Sequence, residues 1–362
     1  MTASRSRPVT TTFRGPNGAD YGDVLSPAEL GPSPLPRPRG TLSAVLTTAL
    51  AGPVHAVDRV PAADDDALFG EDAALALYCL YELHYRGFAD VADGWEWEPS
   101  LLGLRRLLER DLLARLREDV GLATPGTEPG DLLTDGIAGA LRRIVDAPSG
   151  PSLSGYLAER GSLGQFREFA VHRSLLQLKE ADPHSWAIPR LAGAAKAALV
   201  EIQTDEYGHG AQRDMHQTLF GLTLRALGLD PAYGAYLDRV PATTLATVNV
   251  PSFFGLHREH RAALVGHLAV FEMTSVGPMS AYSAALRRHG LPPAARLFFD
   301  THVVADAHHQ TVAADALATG LVRAEPGLAA GLLFGARAAM AVEARAAEAI
   351  MTAWERGESS LI

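Results

Sequence analysis

The sequence predicts an all-α protein: a C-terminal helical bundle with an additional helical region on its N-terminal side. Three observations predict it. Amphipathic segments at helical spacing fill most of the chain beyond residue 41. The breakers between them, such as "EADPHSWAIP", "GLDPAYG" and "RHGLPP", are short and chemically sensible, and alternating strand patterns are almost absent. At 47% hydrophobic and 20% charged, the 362 residues have ample material for a core.

Residues 1–40 are rich in Pro, Gly, Ser and Thr and bury little, so they read as a mobile tail or an arm draped on a partner subunit. Residues 41–150 form the N-terminal helical region. Its patterning is weak at "TLSAVLTTALAG" and firm at "DAALALYCLYELHYRGF", "PSLLGLRRLLERDLLARLRED" and "DLLTDGIAGALRRIVDA". "APSGPSLSGYLAERGS" marks a boundary near 150. From there to 362, helices are expected over about 163–181, 188–208, 211–227, 231–248, 257–287, 292–319 and 326–355.

A net charge of −10 without a long Lys or Arg run argues against nucleic acid or an anionic membrane as partner. The single cysteine, Cys79, excludes an intrachain disulfide and a thiolate metal cluster. The N-terminus lacks the apolar core of a secretion signal, and no uninterrupted apolar span approaches membrane length, so a cytoplasmic protein is expected.

In "THVVADAHHQT", His302, Asp306 and His309 lie at i, i+4, i+7 and share one helix face. That face also carries Phe298, Phe299, Ala305, Ala313 and Ala316, so it points into a core. A buried, unpartnered carboxylate costs several kcal/mol, about 2–7 for even a neutral polar group, and a ligated cation removes that cost. A metal-free His–Asp–His hydrogen-bond network is the alternative. A lone Glu272 sits in the apolar stripe of "VGHLAVFEMTSVGPM", and a core glutamate is rare unless paired or metal-bound. Glu180 ends the stripe Phe166, Phe169, Leu176, where a solvated helix-end carboxylate is an equal reading. Glu168 and His172 lie two to three turns away, too far to serve the same centre easily.

"VEIQTDEYGHGAQRDMHQTLF" holds Glu201, Asp205, Glu206, His209 and His216. Glu206 and His209 form the E-x-x-H spacing that bundle-type di-iron proteins use on one helix. Glu206 and His216 would stand about 15 Å apart on a regular helix. A break at Gly208 and Gly210 would bring them together, and periodicity does not choose between His209 and His216. Nitrogen and oxygen donors without thiolate suit iron or manganese better than zinc.

These segments resemble the haem-oxygenase-like diiron oxidases, a family of iron-containing redox enzymes. The residues carrying the likeness are His302-x3-Asp306-x2-His309, "KEADPHSWAIPRL" with Glu180, "EIQTDEYGHG…MHQTLF" and Glu272, across roughly residues 150–355. The resemblance implies a haem-oxygenase-like bundle without haem, and Glu180, Glu206, His216, Glu272, His302, Asp306 and His309 as metal ligands. It favours His216 over His209. It also implies two iron ions per chain assembled from Fe(II), with O2 as co-substrate forming a peroxo-diferric oxidant. That oxidant would act on a small amine, amino-acid or fatty-acid-type metabolite. Glu82 and His84, in a segment that also resembles the family, read as structural or substrate-side. No cupin pattern accompanies the helical region within these residues.

The competing classes are a non-catalytic helical binding or scaffold protein with a polar core network, and a haem-binding protein. The expected partners are a small-molecule substrate, an external electron donor and a second copy in a homodimer. Arg173, Arg190 and Arg213 lie near the ligand segments and are candidates for holding a substrate carboxylate. No flavin or nicotinamide fingerprint is present.

Overall fold

The computed structural model describes residues 12–14, 20–58, 61, 65–121, 136–147 and 152–362. The N-terminal side contains α1 (Thr41–Leu50), α2 (Glu71–Glu82), α3 (Pro99–Asp119) and α4 (Gly136–Val145). Next come α5 (Leu153–Glu159), α6 (Leu163–Gln177), α7 (Asp182–Ser185), α8 (Gly193–Glu206) and α9 (His216–Ala226). The remainder is α10 (Ala242–Leu256), α11 (Arg261–Arg288), α12 (Leu297–Thr311), α13 (Thr319–Ala324) and α14 (Ala329–Glu355). The fold is all-α, apart from a short antiparallel pair near the N-terminus: β1 (Thr12–Arg14) with β2 (Asp20–Asp23).

Local chemistry sets several helix starts. α3 opens with Pro99 in its first turn, and the Glu98 carboxylate accepts from the Ser100 amide at 3.0 Å. α6 opens with a reciprocal capping box between Ser162 and Gln165. Several of the expected segments shift: those placed at 188–208 and 211–227 start as α-helix only at Gly193 and His216, and two more change character. The helix placed at 231–248 begins only at Ala242, because Asp230–Val240 is spent on turns and Pro241 fixes extended backbone just before it. It then runs past 248 through Pro251 to Leu256. The helix expected over 292–319 is α-helical only to Thr311 and widens into a π-helical turn at Val312–Ala318.

α11 is the central helix, packed against α5, α12 and α14. Its contact with α14 is backbone-close. A Cβ on Gly266 would lie 1.9 Å from the Leu332 carbonyl oxygen, and one on Gly335 would lie 2.0 Å from that of Ala263. One hydrophobic core runs from Leu42 and Leu46 through Leu77 and Leu264 to Val342, so α1–α4 share it with the later helices. Residues 24–40, read from composition as tail, lie along this body. Arg39 donates to Glu71 at 2.6 Å and to the Leu237 carbonyl at 2.7 Å, and Glu29 accepts from Arg225 at 2.6 Å.

Two features depart from the sequence reading, the first of them from the expectation that no apolar span approaches membrane length. The stretches Arg258–Arg288 and Pro326–Glu355 are each long and apolar enough to cross a bilayer by length and composition. Their most apolar windows are 67% and 50% buried inside the fold, as in core helices. The other feature is a wholly buried ion pair: Lys179 Nζ donates to Glu82 at 2.7 Å, and the Tyr233 hydroxyl donates to the second Glu82 oxygen at 2.7 Å. Each charge thereby has a partner in a place where an unpaired one would not be tolerated.

The chain end is tied back onto α6. Glu168 accepts from the Trp354 indole at 2.8 Å and from the Ser360 amide and hydroxyl at 2.8 and 2.6 Å. Burial pushes this carboxyl up, but the Ser360 and Trp354 donors outweigh burial and hold it below its ordinary value of 4.5. A carboxyl depressed on folding adds stability above its unfolded value and loses it as pH falls through the folded one. Glu168→Gln should therefore be less stable than the parent at neutral pH, with the gap narrowing below pH 4.5. A gap in denaturation midpoint that stays constant from pH 7 into the acid range would remove this assignment. Gly266→Ala should lower stability by about 1–3 kcal/mol by forcing α11 off α14; an unchanged melting temperature would refute the close approach.

Candidate metal centre

Seven acidic and imidazole side chains meet between α8, α9, α11, α12 and the turn after α6. α12 supplies His302, Asp306 and His309 from the one face that its spacing predicts, and they are 3%, 1% and 0% exposed. α11 supplies Glu272 from the middle of its apolar stripe. Glu180 lies three residues beyond the end of α6 and is buried, so the solvated alternative for it does not hold.

The last two arrive through a chain reversal. α8 ends at Glu206, and Gly208, His209 and Gly210 all take left-handed backbone, with φ of 60°, 52° and 83°. Glycine adopts that region without strain, whereas histidine does so at a cost. A Cβ on Gly208 would lie 2.5 Å from the Met215 nitrogen, so the reversal is also tightly packed. It delivers His216, the first residue of α9, to within 2.8 Å of Glu206. His209 is turned out to solvent, with its side chain 72% exposed and its Nε2 2.9 Å from Asp205.

The contacts form two groups sharing one residue. Glu180, Glu206, His216 and His302 make the first, and Glu206, Glu272 and His309 the second. His302 Nε2 stands 3.1 Å from His216 Nδ1 and 3.4 Å from Glu180. His309 Nδ1 stands 3.4 Å from Glu272 and 3.5 Å from Asp306. The space enclosed by Glu180, Glu206, Glu272, His302 and Asp306 is about 10 Å3, room for an ion or a single water.

Most of these atoms face one another without hydrogen bonds. Both oxygens of Glu180, both of Asp306, Oε2 of Glu206 and Nδ1 of His309 are buried and unpartnered among the described residues. The 2.8 Å approach of His216 to Glu206 is an ion-pair distance to that same Oε2, where no hydrogen bond forms. The imidazoles are prepared as donors of lone pairs. His302 Nδ1 faces the Phe298 carbonyl at 2.8 Å, which fixes the proton there and turns the Nε2 lone pair into the cluster, toward His216 Nδ1. His309 Nε2 faces Asp205 at 2.8 Å, which leaves Nδ1 bare. A carboxylate or carbonyl behind a ligating imidazole is the usual outer support of a metal site. The donor set therefore fits a cation.

Electrostatics points the same way. Burial pushes the Glu272 carboxyl up to about 8, with His309 offsetting only part of it. Burial also raises Glu180, against the pull of His302. Burial would raise Glu206 too, but His216 and His302 draw it down to about 2. Burial lowers His302, yet Glu180 lifts it to about 10; His309, also lowered by burial, is lifted to about 11 by Asp306 and Glu272. Without a cation these groups must share protons to coexist.

Several supporting residues carried no usable signal. Asp205 was one acid among several in its segment, and only the α8–α12 contact shows it behind His309. His184 and His267 form a buried pair 3.1 Å apart beside the cluster, and burial holds His184 down to about 4 and His267 well below its ordinary value. They lie 83 residues apart and share no pattern. Glu82 is structural, through Lys179, and His84 lies 3.2 Å from Glu96. Of the three arginines, Arg190 caps the carbonyl end of α10 at Gly255 and Leu256, and Arg213 is an exposed neighbour of Asp214. Arg173 alone faces a cavity.

The two histidines of the reversal give a direct test. His216→Ala should remove most bound iron, whereas His209→Ala should leave the iron-to-protein ratio, measured by colorimetric chelation, close to the parent. The opposite order would return the E-x-x-H pair to the centre.

Residues 167–344 match the family described as iron-containing redox enzymes. The chain is also similar to nitrosourea synthase from Streptomyces achromogenes subsp. streptozoticus, 28% identical over 172 residues. That alignment covers 46% of this chain and 36% of the length of the synthase. The matched region contains every side chain of the cluster and the helices that present them. Over residues 167–344 the chain is thus similar to the iron-containing redox enzymes, and its fold is all-α and haem-oxygenase-like.

Proposed function

We propose that this protein is a non-haem di-iron oxidase or oxygenase: it holds two iron ions in the cluster and uses O2 to oxidise a small metabolite. The observation that carries the reading is the convergence of four buried carboxylates and three imidazoles, with atoms of Glu180, Glu206, Asp306 and His309 left unpartnered among the described residues. With neutral imidazoles, Glu180, Glu206, Glu272 and Asp306 sum to four negative charges, which two divalent cations balance. Glu206 belongs to both groups and is placed to bridge them. When bound, the iron pair would supply the redox chemistry, passing electrons to dioxygen.

The chain's own residues do the rest. Glu180, His216 and His302 would hold one ion and Glu272 and His309 the other, with Asp306 between them. Phe298 and Asp205 fix the protons of His302 and His309 on the side away from the metals. Leu268 and Phe271 line the enclosed space and exclude bulk water. We take the working setting to be cytoplasmic, with further electrons drawn from an external donor.

The haem-binding reading has less support, because an enclosed space of about 10 Å3 beside converging carboxylates suits ions and not a macrocycle. A metal-free scaffold would have to keep the cluster protonated in the core.

The test is anaerobic Fe(II) loading, then O2 with stopped-flow absorbance. About two irons per chain are expected, with a transient visible band that is lost in His302→Ala. Glu272→Ala and Asp306→Ala should each lower iron stoichiometry while far-ultraviolet circular dichroism stays near the parent's. No iron uptake and no O2-dependent transient would leave the cluster as a polar core network.

A further inference from the structure

Beside the cluster lies a cavity of about 240 Å3, with room for roughly eight water-sized groups. Phe271 and Ser275 line both this cavity and the small space between the carboxylates. Two chain segments run from one to the other. α11 places Glu272 at the cluster and Ser275, Met279 and Tyr282 along the cavity. α6 places Arg173 and Gln177 one turn apart on the cavity wall, and three residues later the chain reaches Glu180.

Most polar groups on this largely apolar wall are already engaged. His172 is held between Thr244 at 2.6 Å and Ser360 at 3.0 Å. The hydroxyls of Thr247, Thr274 and Ser275 donate to carbonyls of their own helices. Besides the Tyr282 hydroxyl, three groups have capacity left. Gln177 is 2% exposed, its Oε1 is buried without a partner, and its amide nitrogen makes no hydrogen bond. Arg173 spends only Nη1 on Glu343, touching its two oxygens at 2.9 and 2.8 Å, so Nε and Nη2 are uncommitted. Glu343 takes that single nitrogen with both oxygens and stays partly exposed toward the cavity.

A buried amide with nothing to bond is costly to retain, and a guanidinium with a free edge beside a carboxylate presents both signs of charge to one ligand. We propose that this cavity is the substrate site and that its substrate is a zwitterion of amino-acid size. Its carboxylate docks on the free edge of Arg173 and its ammonium on Glu343. Its side chain runs along the apolar wall toward Phe271 and Ser275, carrying a polar function that pairs with Gln177. The proposal rests on the cluster being the reaction centre, since Phe271 and Ser275 are what separate the two spaces.

The test uses three six-carbon probes, L-norleucine, hexanoate and hexylamine, with 6-hydroxy-L-norleucine as the fourth. Each is titrated calorimetrically into the full-length protein, metal-free and Fe(II)-loaded. L-norleucine should bind at least about tenfold tighter than hexanoate or hexylamine, about 1.4 kcal/mol. Arg173→Gln should weaken L-norleucine and hexanoate and spare hexylamine. Glu343→Gln should weaken L-norleucine and hexylamine and spare hexanoate. The hydroxyl of the fourth probe should add affinity that Gln177→Leu removes without affecting L-norleucine. The proposal is overturned if L-norleucine shows no advantage over the single-headed probes, or if its binding survives both charge variants.

Iron stoichiometry is measured on the same variants and should match the parent, because none of the three residues lies in the cluster. A correct probe pattern with no iron uptake would retire the redox reading and keep the zwitterion site. Iron uptake without the pattern would do the reverse.

Discussion

The coexistence of four carboxylates and three imidazoles in a space too small for water to solvate them is the constraint on which the rest of this structure depends. In the interior of a helical protein such groups survive only when protonated, hydrogen-bonded or bound to a cation. Here His302 and His309 are tied outward, to Phe298 and to Asp205, one hydrogen bond joins His216 to His302 inside the cluster, and the lone pairs that remain point inward. Everything around the cluster is arranged to hold that inward convergence.

Regular helices alone would not achieve it. Glu206 and His216 are ten residues apart, and the three left-handed residues between them turn α9 back toward α8. The ligand-bearing α12 passes directly into a π-helical turn that packs against α8 and α11. Such turns recur at functional sites, where an inserted residue re-aims side chains at the expense of regular bonding. α11 is pressed against α14 at Gly266 and Gly335, which fixes the depth at which Glu272 is presented. The cluster geometry is thus held by irregular backbone on one side and a close helix contact on the other.

The same helices extend the chemistry away from the cluster. α11 carries residues of the cavity and of the cluster, and so does the chain running from α6 into the turn that follows it, so a molecule in the cavity lies one wall of side chains from the carboxylates. The buried Lys179–Glu82 pair stands immediately behind Glu180 and anchors that turn to α2. This gives the N-terminal helices a part in positioning the centre although they supply no side chain to it.

The sequence by itself determined the all-α class, the convergence face of α12 and the anomaly of Glu272. Helical period is a local property, and a polar residue in an apolar stripe is visible wherever it occurs. It left His209 and His216 equal, because φ angles at Gly208–Gly210 are set by packing against Met215 and not by spacing. It misplaced the start of α10 and the end of α12, because turn and π-helical chemistry there depends on contacts with distant helices. Asp205 behind His309, the His184–His267 pair, Lys179 opposite Glu82 and the Arg173–Glu343 pair all join residues 83–170 positions apart. No periodicity links such positions, so only the tertiary structure decided which polar residues meet and which are left with bonding capacity to spare.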